Sequence, residues 1–381
     1  MKTCPYAKKC GGCDYQGISY SKQLAMKQEY TEKLLKEFCP VHPITGMEDP
    51  YHYRNKVHAV FNRTRDGQII SGMYEENSHR VVPVDDCQIE NEKADAIIRD
   101  IRDMLRSFKI TVYNERSGQG LLRHALIRTA SFTGQILVVL VVTSPIFPSK
   151  NNFVKALRKK HPEITSVVLN LNDKYTSMVL GKRDIVLYGP GYIEDQICGK
   201  TFRISAQSFY QINPPQAEKL YNKAIELAGL TGKERVIDAY CGTGTIGLAA
   251  SDNAGEVIGV ELNPEAVKDA VRNTKSNQVR NARFYCADAG EFMEQMAADG
   301  ETADVVIMDP PRSGSTEKFM DSLGKLGPSR IVYVSCNPET QRRDIQYLQK
   351  LGYKAVEVWP YDFFGFTSHV ECVVLMLRKN T

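Results

Sequence analysis

The chain is 381 residues long, with 42% apolar and 25% charged residues, the proportions of a globular protein of two or three domains and not of a disordered tail or a fibre. Its longest aliphatic run, Ile136–Val142, is far shorter than the roughly 20 residues a bilayer span needs. Residues 1–15 hold no apolar core ahead of a small-residue cleavage site, so a cytoplasmic protein with no signal and no membrane partner is expected. The net charge of +4 is unevenly placed: residues 1–200 hold 29 Lys/Arg against 22 Asp/Glu, residues 201–381 hold 20 against 23, and 101–160 hold 11 against 2. Such a local positive field attracts phosphate backbones, although a solvated basic surface has the same composition.

Ten cysteines in a chain of this kind argue for metal or catalytic use over a disulfide framework. Cys4, Cys10 and Cys13 form C-x5-C-x2-C, and Cys87 stands apart in Val84-Asp85-Asp86-Cys87. Behind them, Leu24, Tyr30, Leu34, Leu35 and Phe38 approximate helical spacing until Pro40, so residues 1–40 read as a cysteine segment and a helix. Residues 41–200 read as a central antiparallel α+β domain. Its short β-branched runs are His58–Phe61, Leu126–Thr129, Ile136–Thr143, Ser166–Leu171 and Asp184–Tyr188, with one helix over Glu90–Phe108. The turn Gly189-Pro190-Gly191 is expected to be a hinge.

From 201 to 381 the texture changes. A helix over Pro215–Ala228 precedes strands at Arg235–Ala239, Glu256–Glu261, Ala282–Cys286, Val305–Asp309, Arg330–Ser335 and Glu371–Leu377, an alternation that predicts a doubly wound parallel sheet. Asp238-Ala239-Tyr240-Cys241-Gly242-Thr243-Gly244 leads from a buried strand through a glycine turn into a helix. Gly242 and Gly244 let the backbone approach a ligand. Glu261 ends the next strand, where a carboxylate can accept from ribose hydroxyls, and Asp288 follows the third, placed to meet an adenine amino group. To this point a nicotinamide dinucleotide and S-adenosylmethionine both fit. Asp238 ahead of the glycines suits a cationic, phosphate-free ligand end, since a pyrophosphate prefers bare amides. Asp309-Pro310-Pro311-Arg312 at the fourth strand end is a motif that dinucleotide dehydrogenases do not need. Both features favour S-adenosylmethionine.

Ser335-Cys336-Asn337-Pro338 falls at the next strand end, where open α/β sheets place ligands. A buried lone cysteine is ordinarily a small hydrophobe, but the strand-end position and the Asn-Pro turn direct Cys336 to the ligand crevice. Glu371 enters a buried terminal strand, where desolvation raises a carboxyl toward general-base range. The pair suits methylation of uracil carbon 5. A thiolate adding to carbon 6 makes carbon 5 nucleophilic, and a base then removes its proton.

Gln207-Ser208-Phe209-Tyr210-Gln211-Ile212-Asn213, Asp238–Gly244, Asp309–Arg312, Ser335–Pro338 and His369-Val370-Glu371, in that order, resemble the RNA uracil-5 (5-methyluridine) methyltransferases, most closely the bacterial 23S ribosomal RNA members. The likeness covers essentially the whole chain. It implies a Rossmann-like class I S-adenosylmethionine-dependent methyltransferase domain preceded by an α+β RNA-recognition domain. By it Cys336 is the nucleophile and Glu371 the base, and Gln211, Tyr240, Thr245, Glu261, Asp288 and Asp309 line the donor site. Where this chain has Thr245 the family often has Asn. Cys4, Cys10, Cys13 and Cys87 match the family's [4Fe–4S] ligands, although four thiolates alone suit zinc as well. Tyr53-Arg54-Asn55-Lys56 and Leu122-Arg123-His124 resemble RNA-contact segments. Many relatives carry a small β-barrel RNA-binding domain ahead of the cysteines, whereas here Cys4 follows three residues. RNA grip is therefore expected from the central domain, with steep salt dependence. The expected partner is 23S ribosomal RNA, with the T-loop uridine of tRNA as the alternative; no DNA partner is expected, and the protein is expected to act as a monomer.

Overall fold

In the computed structural model, which describes residues 4–176 and 178–379, the chain opens on a single turn, α1 (Ala7–Cys10), closed by Gly11 in the left-handed region. Helix α2 (Tyr20–Leu35) follows. The chain forms two units. The first takes the residues up to Gly17 together with 49–196 and 203–208; the second takes 18–48, 197–202 and everything from Phe209.

The first unit is built on β1 (Lys56–Arg63), β2 (Ile69–Tyr74), β3 (Val81–Pro83), β4 (Leu122–Thr129), β5 (Ile136–Val142), β6 (Ile164–Leu171) and β7 (Arg183–Tyr188), with helices α3 (Glu92–Met104) and α4 (Lys150–Lys160). The sheet order is β3-β2-β1-β4-β5-β6-β7. Only β5 and β6 pair in parallel, and α4 supplies the crossover that a parallel pair requires. All seven residues of β5 are buried, which is why its sequence is continuously aliphatic and not alternating. The Asn91 side chain caps α3 by accepting from the N–H groups of Lys93 and Ala94. Ala94, Ile97, Ile98, Ile101 and Met104 then recur at helical spacing and join Phe153, Val154 and Leu157 of α4 in one core with the inner residues of β5.

Gly189-Pro190-Gly191 is not a boundary between units. It turns β7 toward β8 (Ile193–Ile197) inside the first unit, and Gly189 is required there because a Cβ would stand 2.0 Å from the Thr165 carbonyl oxygen. The chain instead changes units in the two-stranded sheet of β8 and β9 (Lys200–Ile204).

The second unit contains α5 (Pro214–Ala228), β10 (Arg235–Ala239), α6 (Thr245–Ala250), β11 (Glu256–Glu261), α7 (Pro264–Ser276), β12 (Ala282–Cys286), α8 (Ala289–Ala298), β13 (Val305–Met308), α9 (Glu317–Leu326), β14 (Arg330–Ser335), α10 (Pro338–Lys350), β15 (Tyr353–Tyr361) and β16 (Glu371–Arg378). The order β12-β11-β10-β13-β14-β16-β15 begins as five parallel strands and ends in two antiparallel ones. The sheet is therefore mixed where a parallel one was expected. Strand β15 escaped the sequence pattern because Lys354, Glu357 and Pro360 interrupt it; as the edge strand it tolerates the proline.

Helix α2 belongs to this second unit and not with the cysteine segment, a correction to the grouping of residues 1–40. Leu35 lies in the core that holds Ile345, Leu348 and Val358. Lys27 Nζ is 2.6 Å from Asp362 Oδ1 with both side chains fully buried, and the Tyr20 hydroxyl donates to Asp362 Oδ2 at 2.8 Å. Removing one partner leaves a buried charge uncompensated, so Lys27→Met should lower unfolding stability by about 3–5 kcal/mol. Adding Asp362→Asn should recover much of that loss in denaturant melts, and a near-neutral single variant would count against the pair. Among the described residues no helix is long and apolar enough to cross a membrane.

Candidate active site

The sharp turn after β10 sets the centre of the site. Asp238 is buried, and its Oδ2 accepts the Gly247 N–H at 2.8 Å, which ties the strand to the first turn of α6. Tyr240 sits at φ 63°, a left-handed conformation that costs a non-glycine residue about 1–2 kcal/mol. Gly244 follows at φ 81°, where a Cβ would stand 2.7 Å from the Phe284 ring. Glu261 closes over the turn: Oε2 accepts the Gly242 N–H at 3.1 Å and Oε1 accepts the Asn263 N–H at 2.8 Å. Burial pushes Asp238 up to about 7, and the nearby carboxylates of Asp309 and Glu261 add to the rise. Burial alone pushes Asp309, just beyond β13, up to about 7.

The other expected donor-site residues gather at the same C-terminal edge of the parallel strands. The half-buried Tyr240 has its hydroxyl 3.4 Å from Ser315 Oγ and its ring 5.0 Å from that of Phe319. Asp288 is exposed at the N-cap of α8, where it accepts the Glu291 N–H at 3.0 Å. Thr245 begins α6, with its hydroxyl 3.4 Å from that of Thr243. Gln211 hydrogen-bonds the Tyr221 hydroxyl, and Tyr221 lies within electrostatic reach of Asp309, Glu371 and Asp238. Sequence reasoning missed this buried tyrosine. On α5 it shares a face with Ala217, Leu220 and Ala224, a pattern that reads as ordinary core.

Cys336 and Glu371 are brought together by strand register. Strands β14 and β16 pair antiparallel as far as Ser335 opposite Cys372, so Cys336 and Glu371 each adjoin that last pair, and the thiol lies within electrostatic reach of the carboxyl. Burial pushes the Cys336 thiol up to about 11, and Glu371 and Asp309 reinforce the shift while Arg312 opposes it. Glu371 is held well above the usual carboxyl range, first by burial and then by Asp309, again against Arg312. Asn337 caps α10 by accepting the Glu339 N–H at 3.1 Å, and its Nδ2 donates to the Arg312 carbonyl at 3.1 Å. Thr340 donates to the same carbonyl at 3.2 Å. These bonds fix the Asp309–Arg312 loop beside the Cys336 turn.

In the first unit, Cys4, Cys10, Cys13 and Cys87 line one cavity with Tyr6, Gly12 and Ile89, and all four are free thiols. Burial raises the thiols of Cys10, Cys13 and Cys87. Among the described residues no three His, Cys, Asp or Glu side chains converge closely enough to hold one metal ion. Of the two basic segments, Arg123 and His124 are buried side by side on β4. Arg54 pairs through its backbone with the Ile89 carbonyl, and Asn55 is buried.

A sheet of this order, with carboxylates at its strand tips around a glycine turn, defines a class I methyltransferase fold. The sequence profile of the tRNA (uracil-5-)-methyltransferase family matches residues 19–379. The chain is 41% identical over 382 residues to an uncharacterized RNA methyltransferase of Halalkalibacterium halodurans, covering 99% of this chain and 83% of that one. It is 43% identical over 384 residues to one of Clostridium acetobutylicum, with 99% and 83% covered. The tRNA (uracil-54, C5)-methyltransferase of Pyrococcus abyssi, solved with S-adenosyl-L-homocysteine, superposes with a TM-score of 0.81 at 27% identity over 99% of this chain and 88% of that one. The chain belongs to the tRNA (uracil-5-)-methyltransferase family, and it is an RNA methyltransferase.

Proposed function

We propose that this enzyme transfers the methyl group of S-adenosylmethionine to carbon 5 of a uridine in 23S ribosomal RNA through a covalent adduct on Cys336. The observation that carries the reading is the β14–β16 register, which sets a thiol against a carboxyl at the strand tips. Gln211, Tyr240, Thr245, Glu261, Asp288 and Asp309 form the donor site. When bound, S-adenosylmethionine supplies an electrophilic methyl on a sulfonium whose charge favours thiolate and carboxylate beside it. The Cys336 thiolate adds to carbon 6, and the electron pair shifts to the carbon 4 oxygen. Carbon 5 then takes the methyl group, whose bond to the sulfonium sulfur breaks with the electron pair left on sulfur, and S-adenosylhomocysteine departs as a neutral thioether. Glu371 accepts the proton from carbon 5, and the carbon 6–sulfur bond breaks to return the thiolate and 5-methyluridine.

Cys4, Cys10, Cys13 and Cys87 are the residues that would hold a [4Fe–4S] cluster in the first unit. A donor set of thiols alone suits such a cluster or zinc. The family resemblance is what favours the cluster over one zinc. The cluster's role is to tie the N-terminal segment to the sheet domain. Anaerobically purified protein should carry iron and sulfide near four per chain on the family pattern; one zinc per chain would overturn the assignment.

The cysteine set favours ribosomal RNA, while the Pyrococcus abyssi structure favours the second reading, the T-loop uridine of tRNA. Labelled methyl transfer to unmodified total RNA, fractionated and digested to nucleosides, separates them. Label in 23S as 5-methyluridine is expected, and label in tRNA would overturn the substrate and keep the chemistry. The absence of 5-methyluridine from every fraction would overturn both.

A further inference from the structure

Residues 310–316, between β13 and α9, form no helix or strand, so their backbone groups need partners from elsewhere. Many of these come from α10, the helix that starts beside the Cys336 turn. We propose that Asp344 of α10 is a positioning residue for the methyl donor: it fixes Ser315 and, through Ser315, the Tyr240 side chain, a role that rests on the donor site proposed above.

Asp344 is fully buried. Its Oδ2 accepts the Ser315 N–H at 2.8 Å and the Tyr333 hydroxyl at 2.7 Å, and its Oδ1 accepts Arg343 Nε at 2.9 Å. One carboxylate thus joins α10, β14 and the turn ahead of α9. Arg343 Nη2 adds bonds to the carbonyls of Ser313 and Ser315, both at 3.0 Å. The turn itself closes from the Gly314 N–H to the Pro311 carbonyl at 2.8 Å. Gly314 stands at φ 75°, and a Cβ there would lie 2.6 Å from Arg343 Nη2 and 2.7 Å from Asp344 Oδ2. The backbone is therefore pressed against this pair as closely as a glycine allows.

What the pair holds in place is the surround of Tyr240. Ser315, only 5% exposed, has its hydroxyl 3.4 Å from that of Tyr240. The next residue, Thr316, caps α9 by accepting the Phe319 N–H at 3.2 Å, and the Phe319 ring lies 5.0 Å from the Tyr240 ring. Both neighbours of the tyrosine thus follow from the turn that Asp344 anchors. Tyr240 needs them, because a non-glycine residue at φ 63° persists only where its surroundings over-determine it. A carboxylate serving α10 alone would be satisfied by Tyr333 and Arg343. The bond to the Ser315 N–H is the one that reaches the donor site.

The test reads S-adenosylmethionine affinity by calorimetry in the full chain, with RNA absent. Asp344→Asn keeps the shape but offers a single acceptor oxygen to donors that now share two, and it should raise Kd about tenfold. The kcat at saturating donor should stay within about twofold, as should the rate of Cys336 alkylation. Ser315→Ala removes the hydroxyl that meets Tyr240 and keeps the backbone N–H on Asp344, and binding about threefold weaker is expected. In a Tyr240→Ala background, itself weaker in binding, Asp344→Asn should move Kd by no more than about twofold, since effects that pass through one side chain do not add. The same shift of Kd in both backgrounds would overturn the route through Tyr240. Parental affinity in folded Asp344→Asn would overturn the role of the carboxylate. If that variant does not fold, Ser315→Ala decides, and parental affinity there overturns the inference. Parental affinity in Tyr240→Ala would remove Tyr240 from the donor site, and a parent chain that binds no S-adenosylmethionine would overturn the donor site as a whole.

Discussion

Replacing Cys336 with alanine should abolish 5-methyluridine formation, by at least ~10⁴-fold, while S-adenosylmethionine binds within twofold of the parent affinity. The asymmetry follows from position. Cys336 lies beyond the tip of β14, whereas the carboxylates of Asp238 and Glu261 are locked to the glycine turn after β10, so no donor-site bond is lost with the thiol. The pH dependence has a definite sign. A thiol pushed up to about 11 is almost wholly protonated near neutrality, and its thiolate fraction grows about tenfold per pH unit below that value. Alkylation of Cys336 in the donor-free protein, mapped by mass spectrometry, should therefore climb steadily from neutral pH to about pH 10. A plateau below pH 8 would mean that the site activates the thiol before any donor binds. Residual turnover in the alanine variant would remove the covalent mechanism altogether.

Glu371→Gln should stall the reaction one stage later, with RNA retained on the protein in a denaturing gel and product release reduced about 10²–10⁴-fold. The amide has nearly the shape of the carboxyl but cannot take the carbon 5 proton, and while that proton remains the carbon 6–sulfur bond cannot be expelled. Glu371 also raises the Cys336 thiol. Its neutral replacement therefore favours thiolate and does not slow entry into the adduct. Accumulation should accordingly be faster than in the parent, and the trapped species should carry the methyl group. Loss of activity without any adduct would assign proton removal to another residue.

Much of this site was legible in the sequence because its parts lie at strand ends. The glycine turn, Glu261, Asp288, Asp309 and Cys336 each follow a strand that its aliphatic residues reveal. The pairing of Cys336 with Glu371 was drawn from their chemistry and the family resemblance, but the register behind it was not legible. It depends on β16 running antiparallel to β14, and β15, the connection that reverses the chain, is broken in pattern by Lys354, Glu357 and Pro360. Tyr221 was hidden for the opposite reason, since it sits on a face whose neighbours are all core residues. The hinge expected at Gly189-Pro190-Gly191 is a tight turn inside the first unit; a glycine forced by close backbone approach looks, in one dimension, like a flexible one. Helix α2 was placed with the wrong unit because its partner, Asp362, lies 335 positions away from Lys27.

That distance has a consequence for how the enzyme is made. Lys27 Nζ also donates to the Phe364 carbonyl at 3.1 Å, and the Gln23 side chain accepts the Phe366 N–H at 2.8 Å, so α2 braces the segment that leads into Glu371. During synthesis this helix leaves the ribosome early and waits for nearly the entire chain before its acceptor emerges. Contacts so distant in sequence form late and slowly. Glu371 thus gains its final support only when the last strand is complete, and a chain released early carries the glycine turn and the Cys336 thiol without it.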